Sequence, residues 1–162
     1  MLFRQQSVKI DSNDWFRRTV FTNAEEKINT RLIPLLSLGS ALEAEKSVDR
    51  VIEVMSSMQP RLLNRMSLLD MSPPNPVKGR FLLRGSYRSV DLGKIETIDE
   101  MTEPLMRKNL TYDSFAVRNL GVPLFSKNRG VISGVEYDYD RVMVPIQSKH
   151  FNLIVTAYWS EG

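Results

Sequence analysis

The residues best suited to chemistry fall on one stretch, Glu136-Tyr-Asp-Tyr-Asp-Arg-Val-Met143, where charged and aromatic side chains alternate. With the period of two of a strand, Glu136, Asp138 and Asp140 share one face, and Tyr137, Tyr139, Arg141 and Met143 share the other. Carboxylates so spaced could exchange protons or hold a hard cation. Alternating acids also make an ordinary solvated strand face, and that is the reading expected here. Arg141 is a different case. An inward arginine among aromatics can anchor a ligand carboxylate or phosphate through its fixed fork of donors, or it can hold a loop as a structural charge. The sole histidine, His150, falls in an expected hairpin turn, Ser148-Lys149-His150. One exposed imidazole supplies a single ligand where a metal site needs three or four. No Gly-x-Ser-x-Gly elbow accompanies it, and Gly79, Gly85 and Gly93 fit neither a Walker A loop nor the dinucleotide fingerprint. No catalytic residue, metal or cofactor is expected.

The chain has 162 residues, 42% of them hydrophobic, enough for one sizeable core, and its 25% charged residues and its aromatics argue against disorder. The absence of cysteine excludes disulfides, thiolate zinc sites, iron–sulfur clusters and a cysteinyl adduct to a flavin. The net charge is +3, with bases interleaved among acids: Arg17 and Arg18 precede Glu25 and Glu26, and Arg84 and Arg88 precede Asp91. Binding nucleic acid requires several phosphates to be neutralised together, so scattered bases point to a solvated surface and not to a nucleic-acid partner. No run approaches the ~18 to 20 apolar residues that span a bilayer. The opening Met-Leu-Phe-Arg-Gln-Gln lacks the apolar core of a secretory signal, so a cytoplasmic protein with no membrane partner is expected.

The chemistry-bearing stretch must be positioned by the rest of the chain. Residues 1–10 read as a short strand or a frayed end. Trp15, Phe16, Thr19 and Val20, after the candidate caps Ser12 and Asn13, have helical spacing. A capping box at Thr22 and Glu25 starts a second helical segment through Ile28, Leu32, Leu35 and Leu36, broken near Pro34. Ser40 and Glu43 form another box ahead of a stripe of Val48, Val51, Ile52, Met55 and Met58, which ends at Gln59-Pro60. The methionines Met55, Met58, Met66 and Met71 suit core or dimer packing. A first strand is expected near 67–71, then the loop Ser72-Pro-Pro-Asn-Pro76. A second strand over 78–88 puts Phe81, Leu83, Gly85 and Tyr87 on one face. Short helical pieces follow over 91–110 and a helix over 111–119, closed by Leu120-Gly121. Strands over 131–135, 137–146 and 152–159 complete an α+β fold, an antiparallel sheet with helices on one face preceded by N-terminal helices.

The pattern Arg80-Phe-Leu-Leu-Arg-Gly-Ser86, then Gly93, then Gly121-Val-Pro123, then Tyr139-Asp-Arg-Val-Met-Val-Pro-Ile146 resembles the PAS-like domain family of proteobacterial single-domain proteins. Asp91-Leu92-Gly93 is a fragment of that family's Gly-x-Asp-Leu-Thr-Gly-like turn. The resemblance covers roughly residues 60 to 160. It implies a helical segment over 1–60, flanking or dimerising, and a PAS-like domain over 61–162. It implies a sensory or interaction module that binds a small molecule or a partner protein and works as a homodimer. The expected binding residues are Phe81, Leu83, Phe115, Tyr139, Arg141, Met143 and Val155. The chain ends just after its last strand, so any signal is expected to pass to a separate protein. The alternative is a small pocket enzyme acting on a hydrophobic or acidic substrate, with Asp138, Asp140, Arg141 and His150 as its polar groups.

Overall fold

The computed structural model describes residues 2–9, 13–22, 28–85, 87–88, 96–146 and 148–160. Its strands are β1 (Leu2–Lys9), β2 (Trp15–Phe21), β3 (Met66–Asp70), β4 (Arg80–Arg84), β5 (Tyr87–Arg88), β6 (Leu124–Ile132), β7 (Val135–Pro145) and β8 (Leu153–Trp159). They form one sheet of eight strands in the order β1-β2-β6-β7-β8-β3-β4-β5, antiparallel at every described pairing. The helices are α1 (Leu38–Ala41), α2 (Val48–Met58) and α3 (Pro104–Leu120), with 3-10 turns at Thr30–Ser37 and Ile98–Glu100 among others. The class is α+β, as the element order implied.

The central strands explain the layering. In β7 and β8, Val142, Val144, Leu153, Val155 and Ala157 belong to one apolar cluster, while the intervening Met143 and Ile154 belong to a second. The first cluster is covered by Leu32, Leu35, Leu38 and Leu42 and by Val51, Ile52 and Met55 of α2; the second is covered by Ile98 and by Leu110 and Val117 of α3. Helices therefore pack on both faces of the sheet, not on one. A single layer would leave one side of these doubly apolar strands in water. Met55, Met66 and Met71 are core residues, and only Met58 of the expected stripe is exposed.

Residues 15–21 form a strand between β1 and β6, not a helix. Buried Phe16, Arg18 and Val20 alternate with exposed Trp15 and Arg17, a period of two. Exposed Trp15 beside buried Phe16, and half-buried Thr19 beside buried Val20, gave the apolar spacing its helical look. The strand also ties this segment into the same sheet as the C-terminal half, and α2 shares a core with β3, β7 and β8. Glu25 of the expected box at Thr22 lies outside the described residues, as do Ser86 and Asp91-Leu92-Gly93. The break at Pro34 is a 3-10 helix. α2 starts seven residues later than the Ser40 box implied: Ser47 caps it, its hydroxyl accepting from the Arg50 amide at 3.2 Å, and Ser40 lies inside α1.

Two local features aim the side chains of the site. In the β3–β4 ladder Leu68 faces Leu83 but Leu69 faces Phe81, so Leu82 is an extra residue, a β-bulge. The bulge sends Phe81 to the α3 side and Leu83 to the opposite side, overturning their expected common face. The β6–β7 hairpin turns at Ser133 (φ 50°) and Gly134 (φ 77°), and the paired left-handed residues match the twist of the flanking strands. The strand expected at 131–135 is thus the end of β6, this turn and the first residue of β7.

Candidate functional site

α3 lies across the sheet face built by β2, β6, β7 and β8. Pro104 sits in its first turn, the Glu103 carboxylate accepts from the Met106 amide at 2.6 Å, and Gly121, left-handed at φ 67°, ends it. The Arg118 guanidinium fixes its far end by donating to the carbonyls of Met71 (3.3 Å) and Pro73 (2.9 Å). Asp113 is thereby held against the sheet. Arg18 of β2 meets it with a two-pronged fork, Nη1 to Oδ2 at 2.7 Å and Nη2 to Oδ1 at 2.6 Å. Arg141 of β7 donates a further bond to Oδ2. The register brings the two arginines in from either side of β6, because Arg18 pairs with Asn128 and Arg141 with Ser126.

Both Arg18 and Asp113 side chains are 1% exposed, and that of Arg141 is 12% exposed. Two guanidinium groups thus share one carboxylate, leaving one formal positive charge in a nearly dry setting. Asn109 and Ser114 of α3 and Ser126 and Asn128 of β6 are buried beside it, and the Asn128 amide donates to the Ser126 hydroxyl at 3.0 Å. Among the described residues, the Nε atoms of Arg18 and Arg141 and the Thr156 hydroxyl are buried without a hydrogen-bond partner.

Beside Arg141 the sheet and α3 border a cavity of about 420 Å³ that is open to solvent on one side. Phe81, Met101, Met106 and Leu110 give it an apolar wall, and Arg141, Thr156 and Ser67 give it polar points. Tyr137, Tyr139 and Tyr158 make an aromatic side, with the Tyr139 and Tyr158 rings edge to face at 6.2 Å. Burial pushes the Tyr139 hydroxyl above its usual 10.0, so it stays a neutral donor, directed at the Met106 sulfur at 3.5 Å. At the rim, Arg84 pairs with Glu96 at 2.8 Å. Comparisons with protein-family models, curated proteins and solved structures find no match. The cavity and its buried charge are therefore the whole basis for a functional reading.

Of the residues expected to bind a ligand, Phe81, Tyr139 and Arg141 line this cavity. Met143 lies on the same face, packed with Leu69 and Ile154 in the core beneath. Leu83 and Val155 sit in the core on the opposite face. Phe115 is 44% exposed on the outside of α3, beside a separate groove with Pro104 and Tyr112. The acidic face of β7 points away from Arg141: Asp138 stands 3.4 Å from Arg129, and Asp140 accepts the Asn29 amide at 2.7 Å. His150 is exposed in the β7–β8 loop, where its amide donates to the Ser148 hydroxyl. The polar set of the enzyme alternative is thus not gathered in one place. Among the described residues no cluster of three or more acids and histidines could hold a metal, and no helix is long and apolar enough to cross a membrane.

Arg18, Asp113 and Thr156 were not singled out from the sequence. Asp113 carried a signal, since it stands three after Leu110 and four before Val117, inside the apolar stripe of α3. Arg18 carried one only if residues 15–21 were taken as a strand.

Proposed function

We propose that this chain is a PAS-like sensory or interaction module that binds a small molecule in the cavity under α3. The observation that supports the reading is the cavity itself, an apolar and aromatic lining with one buried charge at its edge. In chain order α3 stands between the Arg80–Arg84 strand and the long strands β6 to β8. The cavity lies between that helix and that sheet, and its size is at the small end of the roughly 300 to 1,000 Å³ of ligand pockets. On this reading the module works as a cytoplasmic homodimer.

The test is native mass spectrometry of protein purified from its own host, beside a Leu110→Trp variant that fills the cavity. A reproducible bound mass, lost in the variant, supports small-molecule sensing. A mass that persists in the variant, or an empty protein in every preparation, turns the reading toward protein interaction alone.

A further inference from the structure

We infer that the cavity takes a small monocarboxylate with an apolar body, anchored by Arg141 and Thr156; this rests on the ligand-binding reading above. Among the described residues, Arg18 and Arg141 share the single carboxylate of Asp113, so the buried group carries one positive charge without a counter-ion. No other described residue lining the cavity supplies one: the rim pair Arg84–Glu96 is self-balanced, and Tyr139 is held neutral. A surplus charge taken out of water is costly unless an anion joins it.

Hydrogen-bond capacity points the same way. Thr156, 7% exposed, lines the cavity with its hydroxyl unpartnered among the described residues, and the Arg141 Nε is likewise unpartnered. Both belong to the α3 face of neighbouring strands, because Arg141 pairs with Tyr158 and Thr156 stands two residues before it. At such a diagonal, side chains of this length can meet one small group. Both atoms are closed off from the open space as the protein stands, so a carboxylate, with its two acceptor oxygens, would reach them as the two side chains turn toward it. A phosphate dianion would overshoot the single surplus charge and leave the cavity negative. The remaining wall, Phe81, Met101, Met106 and Leu110, can bury only an apolar body.

Matched pairs test this: hexanoate against hexanamide and phenylacetate against phenylacetamide, titrated into the full chain by calorimetry and by NMR of the tyrosine rings. One acid is expected to bind at least about tenfold more tightly than its amide, the scale of a charge-assisted bond. Arg141→Gln leaves Arg18 and Asp113 as a balanced pair and should abolish the difference. Thr156→Val should weaken the acid several-fold while raising Tm, since it removes an unpaired buried hydroxyl; it serves alone if the arginine variant does not fold. Equal binding of acid and amide, or tighter binding of inorganic phosphate, overturns the carboxylate inference and leaves the ligand-binding reading standing. If neither member of either pair moves the Tyr139 and Tyr158 signals, the carboxylate inference falls. If the host-purified protein is also empty, the ligand-binding reading falls with it.

Discussion

Among the described residues, Asp113 is the one side-chain acceptor of the Arg18 and Arg141 guanidinium groups, so its loss has a defined cost. Asp113→Asn should destabilise the fold by roughly 3 to 5 kcal/mol, the range for stripping a buried ion of its partner, read from urea denaturation. A loss under about 1 kcal/mol would mean that water reaches the arginines. A second carboxylate sets the acid limit. Burial alone would raise the pKa of Asp70, but the Ser72 hydroxyl at 2.5 Å, the Ser72 amide at 3.0 Å and Arg80 outweigh it and hold the group below its usual 3.8. A lowered folded pKa gives stability that is complete above 3.8 and drains away as pH falls through the folded value. Asp70→Asn should therefore flatten the loss of stability between about pH 4 and pH 2, measured as the urea midpoint against pH. Arg141 could be picked out from the sequence because Tyr137, Tyr139 and Met143 fix its face by period alone. Arg18 and Asp113 could not, because their meeting joins residues 95 apart in the chain.

Elements show where local signals suffice and where packing decides. The end of α3 at Gly121 and the strand over 152–159 were readable, the one from a left-handed cap and the other from a run of β-branched and aromatic residues. The identity of β2 was not, because exposed Trp15 beside buried Phe16, and Thr19 beside Val20, imitate a helical stripe. Its placement depends on Gly130 of β6. A Cβ there would stand 2.4 Å from the Trp15 carbonyl oxygen and 2.9 Å from the Phe16 Cα, both backbone atoms. Gly130→Ala should push β2 away from β6 at a cost of about 1 to 3 kcal/mol, with faster hydrogen exchange across Trp15–Phe21 as the specific sign. Unchanged protection in β2 would show that the approach is looser than this.

At the scale of the whole molecule, the α+β class was legible and the number of layers was not. Alternation in β7 and β8 told only that both faces carry apolar side chains. Which helices cover them depends on long-range docking of α2 and α3 that no short pattern encodes. The two layers differ in kind: the α2 side is bound by aliphatic packing, and the α3 side by packing around a buried charge. Between them, the bulge at Leu82 assigns Phe81 and Leu83 to different sides. In genetic terms it has the form of a single added codon. The pairs Ser67–Arg84, Leu68–Leu83, Leu69–Phe81 and Asp70–Arg80 are those of an uninterrupted ladder once Leu82 is struck out. A protein lacking that one codon should therefore keep all four pairs on their present faces and give a folded amide spectrum, losing only the contacts Leu82 makes with the aliphatic core.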